Sequence, residues 1–223
     1  MKLSIVLPVL NEAAGITATL RALSPLRARG HEVIVVDGGS ADATLALAAA
    51  GADRVVQGPR GRARQMNAGA AIARGDVLLF LPADTVLPDA ADAAIQQAVA
   101  AGACWGRFDV RISGGEALFP LIAGLMNLRS RLSGIATGDQ ALFVQRTLFA
   151  QLGGYADQPL MEDIELSRRL RALSPPACLR QRVQTSGRRW QQRGVWRTVW
   201  LMWSLRWRYW RGASPEALAR AYR

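Results

Sequence analysis

Residues 3–12 read Leu-Ser-Ile-Val-Leu-Pro-Val-Leu-Asn-Glu, and residues 32–40 read Glu-Val-Ile-Val-Val-Asp-Gly-Gly-Ser. Each is a short apolar run that ends in a polar turn. Continuous runs of this kind mark strands buried on both faces, here Leu3–Leu7 and Glu32–Val36. Between them Ile16, Leu20 and Leu23 recur at helical spacing, with Asn11 as the expected cap. The alternation continues outward. Ala41–Ala50 reads as a helix, Arg54–Val56 as a strand, and Ala63–Ala73 as a helix closed by Gly75. Val77–Leu81 is a fourth strand, and Pro88 opens a helix to Ala101. Strands alternating with helices predict an α/β fold with a mostly parallel sheet covered on both faces. Ligands of such sheets bind at the carboxyl ends of the strands. Those ends carry the polar stretches Pro8–Glu12, Asp37–Ser40 and Pro82–Thr85.

The second half is less regular. Trp105–Ile112 and Ala141–Gln145 read as strands, and Leu118–Leu132 as an apolar helix. Met161–Leu173 is a helix with Glu162, Asp163 and Glu165 in its first turn. A tryptophan-rich helix covers Val195–Arg211, and Pro215 suits the first position of a last short one. With no repeat or low-complexity linker, the expected organisation is one domain over 1–190 and a helical extension over 191–223.

The 223 residues carry a formal net charge of +11. Residues 1–166 hold 14 basic and 16 acidic groups, whereas residues 167–215 hold 12 arginines and no acid. The body is near neutral and the excess lies in one segment. Two cysteines, Cys104 and Cys178, make neither a disulfide framework nor a four-ligand zinc site and read as buried free thiols. The single histidine, His31, excludes a multi-histidine metal centre and reads as a surface or strand-edge residue. The N-terminal run has no secretory pattern, and the longest uncharged apolar stretch, Ala117 to Leu128, is too short for a bilayer span. A cytoplasmic protein is the expectation.

Several residues carry chemistry at these positions. Asp84, in an open turn, suits a hard divalent cation that also holds a diphosphate, and equally well caps its turn. Asp37 could accept bonds from a base or ribose, with an Asx turn as the simpler reading. Glu162 and Asp163 sit at a helix start, where an acid can act as a general base, although helix-start preference alone explains them. Arg60, Arg62 and Arg64, beside Gly58 and Gly61, could cradle a diphosphate or form a solvated loop. The dinucleotide fingerprint, the Walker A loop and the nucleophile elbow are all missing, which removes three common α/β chemistries.

In that order the motifs resemble the family 2 glycosyltransferases, whose fold is GT-A, a Rossmann-like α/β fold. The resemblance runs over about residues 3–190. It rests on Ser4–Glu12, on Val35–Ser40 with Asp42 and Thr44, on Gly61 to Gly69, and on Phe80–Thr85 in the place of an Asp-x-Asp element. Gly138-Asp139-Gln140 and Met161–Leu166 resemble the acceptor-side motifs. Within the family the chain most resembles the subgroup named for arsenosugar biosynthesis, also called radical-SAM/selenodomain-associated. Gly-Asp-Gln, Arg168-Arg169 and Ser186–Trp190 carry that narrower match.

The resemblance implies an inverting hexosyltransferase-like enzyme that uses a nucleoside-diphosphate sugar and Mg2+ or Mn2+. Pro8, Asn11, Glu12, Asp37, Gly39, Arg60, Arg64 and Asn67 would bind the nucleotide, and Asp84 the metal. Asp163, beside Glu162, would be the base. Gly138, Asp139, Gln140, Arg189 and Trp190 would line the acceptor and diphosphate side. Pro82 stands where the first acid of Asp-x-Asp would be. Ser186 replaces the Gln that opens the Gln-x-x-Arg-Trp motif of processive members, which argues against a polymerising synthase. A nucleotidyltransferase and a non-catalytic membrane-surface protein on a degenerate transferase fold are the alternatives.

Trp196, Trp200, Trp203, Trp207 and Trp210 are spaced 4, 3, 4 and 3 apart and form one helical stripe, with Arg197, Arg208 and Arg211 beside it. A stripe at this spacing packs as core, on the catalytic body or on a second copy in a homodimer. Alternatively, residues 195–211 lie in the interface of an anionic membrane on the inner face, which would suit a lipid-linked acceptor. One side of the helix is too apolar for a soluble nucleic-acid binder, so no nucleic-acid partner is expected.

Overall fold

The first strand shows how the sequence builds a two-sided core. In β1 (Leu3–Val9), Leu3, Ile5 and Leu7 join one apolar cluster while Val6 joins another. That division is the period-two alternation of a strand covered on both faces. The computed structural model describes residues 1–222, and the side chain of Arg189 lies outside the described residues.

β1 is followed by α1 (Ile16–Ala28), β2 (Glu32–Asp37), α2 (Thr44–Ala49), β3 (Arg54–Gln57), α3 (Arg62–Ile72), β4 (Val77–Phe80), β5 (Thr85–Val86) and α4 (Ala91–Ala100). The second half adds β6 (Trp105–Ser113), α5 (Phe119–Ser133), a 3-10 turn (Gly138–Gln140), β7 (Phe143–Gln145), α6 (Arg146–Gln151) and α7 (Glu162–Leu173). β8 (Ala177–Ser186), α8 (Arg188–Arg193), α9 (Val195–Trp210) and α10 (Pro215–Tyr222) complete it. The sheet order is β3-β2-β1-β4-β7-β6-β8-β5. β3, β2, β1 and β4 run parallel, whereas β7 is antiparallel to both β4 and β6 and turns the sheet mixed. α3 crosses β1 closely, because Gly69 leaves room that a Cβ would fill at 2.4 Å from Val6 Cγ1.

Three local expectations are corrected, and one strand was not anticipated. Asn11 does not cap α1: its φ is 54°, and Gly15 precedes the helix instead. His31 is buried, its Nδ1 accepting the Leu3 N–H at 3.1 Å and its Nε2 lying 3.1 Å from Asp92 Oδ2. The helix expected from Pro88 begins at Ala91. β8 is a strand that apolar alternation does not reveal. It bulges outward where Phe108 pairs with Leu179 but Asp109 pairs with Arg182, leaving Arg180 and Gln181 exposed and unpaired. Cys104 and Cys178 are free, as expected, though only half-buried.

Among the described residues no helix is long and apolar enough to cross a membrane. α9 and α10 pack on the start of α7 through Leu201, Met202, Leu205 and Leu218 against Met161 and Ile164. The tryptophan stripe is not core: all five of its rings are exposed.

Candidate active site

The carboxyl ends of β1 and β2 form one interlocked loop pair. Asp37 is buried at the end of β2, and its Oδ2 accepts the Gly39 and Ser40 N–H groups at 3.0 and 2.9 Å. Its Oδ1 accepts the Ser40 hydroxyl. This is an Asx turn. The Ser40 Oγ in turn accepts the Asn11 N–H at 2.8 Å, and Asn11 Oδ1 accepts the Ala41 N–H at 2.8 Å. The Glu12 N–H donates to Thr44 Oγ1 at 2.8 Å. Beneath the pair, buried Gln65 donates to the carbonyls of Val9 and Val36, both at 2.8 Å. Pro8 is half-buried within β1. Asn11, Glu12, Asp37 and Gly39 therefore share one loop cluster, with the Asp37 carboxyl turned inward to hold it.

Asp84 is exposed just beyond β4, and its carbonyl accepts the Ser186 N–H at 3.2 Å. Burial pushes the Glu12 carboxyl up; Arg188 opposes this, and the charges of Asp84 and Asp42 add to it. Arg188 Nη2 lies 4.0 Å from Glu12 Oε2. Glu12, Asp42 and Asp84 thus gather like charge at the strand ends, a setting that a hard cation relieves. Among the described residues no group of three His, Cys, Asp or Glu side chains is arranged to hold a metal. A cation held by one or two carboxylates and a ligand's phosphate oxygens needs no such cage, so Asp84 fits a Mg2+ or Mn2+ bound together with a diphosphate.

The second half closes the other side. The Gly138 N–H donates to Asp163 Oδ2 and the Ile164 N–H to Asp163 Oδ1, each at 2.7 Å, which fixes the carboxylate in orientation. Met161, immediately before α7, has φ 66°, and Ala141, immediately after the 3-10 turn, has φ 47°. Left-handed backbone costs such residues about 1–2 kcal/mol, and both sit where the chain turns Asp139 and Asp163 toward one another. Arg62 joins them. Its Nη2 lies 2.2 Å from where a Cβ on Gly138 would stand, so glycine makes the room for the guanidinium. Its Nε is 3.5 Å from Glu162 Oε1. Burial works against the Arg62 charge, yet Glu162, Asp139 and Asp163 together raise its pKa. Burial and then the Asp163 charge push Glu162 up to about 7, with Arg62 pulling the other way.

Arg62, Phe80, Tyr155, Glu162 and Asp163 line one small cavity. Two further cations approach from the helices. Arg129 of α5 keeps Nε and Nη2 buried without a hydrogen-bond partner, and burial and then Arg206 lower its pKa to about 10. Arg206 of α9 is lowered by burial too, and the charges of Asp163 and Asp139 hold it up.

The remaining expected residues fall in varied places. Arg64 pairs with exposed Asp157, at 2.6 and 2.9 Å. Asn67 pins the Tyr155 backbone through both its amide groups, at 2.8 and 2.9 Å. Arg60 is exposed in the loop before α3. Gln140 is buried and caps its own 3-10 turn with Thr137. Trp190 packs against the core beside β6. Sequence reasoning missed Arg129, Tyr155 and Arg206, and noted Arg62 only as one arginine of a loop. Nothing but tertiary approach marks them. A cleft of about 580 Å³ opens between α5, β6 and β8, and none of the expected site residues lines it.

The architecture is that of the GT-A glycosyltransferases. The S. aureus TarS fragment 1–349 superposes with a TM-score of 0.69 at 18% identity, covering 84% of this chain and 61% of that one. The mannosyltransferase PcManGT of Pyrobaculum calidifontis, crystallised with GDP-Man and Mn2+, gives 0.68 at 18% identity over 99% and 68% of the two chains. Glucosyl-3-phosphoglycerate synthase of Mycobacterium tuberculosis, with Mn2+, UDP and phosphoglyceric acid, gives 0.59 at 23% over 82% and 69%. The chain thus spans about 61% of the length of the TarS fragment. No curated protein sequence matches it. The family model of glycosyl transferase family 2 matches residues 4–145, well over half of the chain, and the protein belongs to that family.

Proposed function

We propose that the chain is an inverting glycosyltransferase that moves a hexose from a nucleoside-diphosphate sugar to an acceptor hydroxyl. The observation that carries this reading is the placement of Asp163. Two backbone N–H groups orient its carboxylate, in a cavity shared with Phe80 at the end of β4, four residues before Asp84. The proposed base thus borders the strand whose chain leads on to Asp84, the proposed diphosphate-side carboxylate.

In this reading Asp163 accepts the proton of the acceptor hydroxyl. The oxygen attacks the anomeric carbon from the face opposite the diphosphate, the bond to the diphosphate breaks, and the configuration inverts. Glu162, its pKa pushed up to about 7, is only partly ionised near neutrality and so adds less than a full charge beside the base. Arg62 balances the acids around it. The Asn11–Ser40 loop pair, with Glu12 and Gly39, borders the nucleotide, and Arg60 the diphosphate. A divalent cation at Asp84 would offset the charge developing on the leaving diphosphate. The neighbours crystallised with UDP-GlcNAc, and with GDP-Man and Mn2+, support a nucleotide-sugar donor and that metal. The likeness of Gly138–Gln140, of the Glu162-Asp163 helix start with Arg168-Arg169, and of Ser186–Trp190 to the motifs of the arsenosugar-named subgroup supports membership of that subgroup.

A thermal-shift panel of nucleotide sugars, each with and without Mn2+, tests this reading. A true donor raises the melting temperature in proportion to occupancy, and does so more with the metal. If no nucleotide sugar or nucleoside diphosphate shifts the melt under either condition, the reading falls.

A further inference from the structure

α9 has two opposed faces. Thr198, Leu201, Leu205 and Tyr209 face the body. On the opposite side Trp196, Trp200, Trp203, Trp207 and Trp210 are between 57% and 76% exposed. α5 repeats the pattern in leucine: Leu121, Leu125, Leu128 and Leu132 follow at helical spacing and are between 52% and 80% exposed. The two helices come near each other at one point. Ile122 and Met126 of α5 and Val195 of α9 pack on the same core cluster, and Arg129 of α5 and Arg206 of α9 feel each other's charge. The leucine stripe of α5 is a second exposed apolar face, on a helix that comes near α9 at Arg129 and Arg206.

Taking up to ~250 Å² per ring, the five tryptophans alone expose on the order of 800 Å². Isolated soluble domains expose contiguous apolar patches of only a few hundred Å². The patch therefore needs an occupant, and its borders say which. Arg197, Arg208 and Arg211 are exposed beside the stripe, and the Arg211 guanidinium sits 5.6 Å over the Trp207 ring. No acid occurs anywhere between residues 167 and 215. A two-fold contact between copies sets each surface against itself, so arginines would face arginines with no acid to pair them. A layer of anionic headgroups supplies the missing charge. Tryptophan rings settle at headgroup depth and arginine stems reach past them to phosphate.

We propose that the tryptophan face of α9 is a docking surface for an anionic lipid bilayer, with α9 lying in the plane of the interface. The docking stands independently of the transferase reading. If that reading also holds, the acceptor is one that a membrane presents.

Co-sedimentation of the full chain with vesicles tests the proposal, comparing phosphatidylcholine alone with phosphatidylcholine mixed with phosphatidylglycerol. The intact protein should pellet with the anionic vesicles at least tenfold more strongly than with the neutral ones, and raised salt should weaken this. The variant carrying Trp200→Ala, Trp203→Ala and Trp207→Ala should lose at least tenfold in partitioning while keeping its helical circular dichroism, since these exposed rings lie outside the core clusters and Trp207 meets Trp210 and Arg211 of its own helix end. Arg197→Glu with Arg208→Glu should abolish the preference for anionic lipid. No pelleting of the intact chain with anionic vesicles overturns the proposal. So do equal binding to both vesicle types, and a tryptophan variant that binds like the parent. A concentration-dependent dimer that the same variant dissolves, without vesicle binding, assigns the face to a second copy and also overturns it.

Discussion

The two sides of the site handle their carboxylates in opposite ways. On the first-half side, Asp37 is bonded by hydroxyl and N–H groups within three residues of itself, and Asp42 by those of Thr44 and by the Ala13 N–H of the facing loop. On the second-half side, Glu162, Asp163 and Asp139 are crowded together and balanced by arginines from distant segments, Arg62, Arg129 and Arg206. The first side is assembled from two turns, at the ends of adjacent strands, that lock onto each other, and the second only by helices and loops that the finished fold brings together. A preorganised nucleotide border costs little to build locally. A base in a charge-balanced cavity requires elements far apart in sequence.

The largest expected effect breaks the second side at its centre. Asp163→Asn keeps an oxygen for the Gly138 or Ile164 N–H but removes the base. Turnover should fall by roughly 10²–10⁴-fold, with nucleotide-sugar affinity unchanged by calorimetry. A variant that retains parental turnover would remove Asp163 from the chemistry. Next comes the first side: Asp84→Ala should cost about tenfold in donor affinity in the presence of Mn2+ and nothing in its absence. Equal affinity with and without Mn2+ in the parent would refute the ligand assignment.

This contrast also explains what was legible in the sequence. The parallel half was readable because its strands are continuous apolar runs and each ends in a recognisable turn. The polar residues at those turns, Asn11, Asp37 and Ser40, interact with one another across two loops. By contrast β8, with Arg180, Gln181 and Arg182 at its centre, hides its strand behind a bulge. Asn67 and Gln140 carry the family's motif letters, yet here they hold backbone: Asn67 at Tyr155, Gln140 at Thr137. Arg206 gave no signal, because a single arginine in a tryptophan-rich helix shows its partners only after the helix docks on Met161. The exposure of the tryptophan stripe was hidden for the same reason. Spacing alone describes one face of a helix and does not say whether anything covers it.

A pH titration of stability separates the sides further. The Glu162 carboxyl is raised in the folded chain to about 7. The folded state therefore binds more protons than the unfolded one between the ordinary glutamate range and that value. This contribution is complete below the unfolded pKa and is lost as pH rises through about 7. Between these limits stability should fall with a slope approaching about 1.4 kcal/mol per pH unit, and Glu162→Gln should flatten it. Asp92, lowered to about 2, behaves oppositely: burial raises it, but the bonds from Arg29 and His31 prevail. Its stabilisation is present above the ordinary aspartate range and is lost only as pH falls toward about 2. Urea midpoints across pH 2–8 should show both limbs, and a Glu162→Gln curve parallel to the parent's would refute the burial of that charge.

The smallest effect probes the local side, where Asn11 holds a left-handed backbone at φ 54° and links two loops through Ala41 and Ser40. Asn11→Gly and Asn11→Ala both delete the bond from the Ala41 N–H, at about 1 kcal/mol. Only alanine adds left-handed strain of about 1–2 kcal/mol. Glycine avoids that strain but carries a more flexible unfolded state, which returns about 0.4–1 kcal/mol of the difference. Asn11→Ala should therefore be less stable than Asn11→Gly by roughly 0.5–1 kcal/mol. Because the loop borders the proposed nucleotide site, both variants should bind nucleoside diphosphate a few-fold more weakly. Asp163→Asn should leave that affinity untouched, so the two sides separate in one binding assay. If Asn11→Ala matches the parent in both stability and binding, the loop pair is not pinned by Asn11, and the first side of the site has some other foundation.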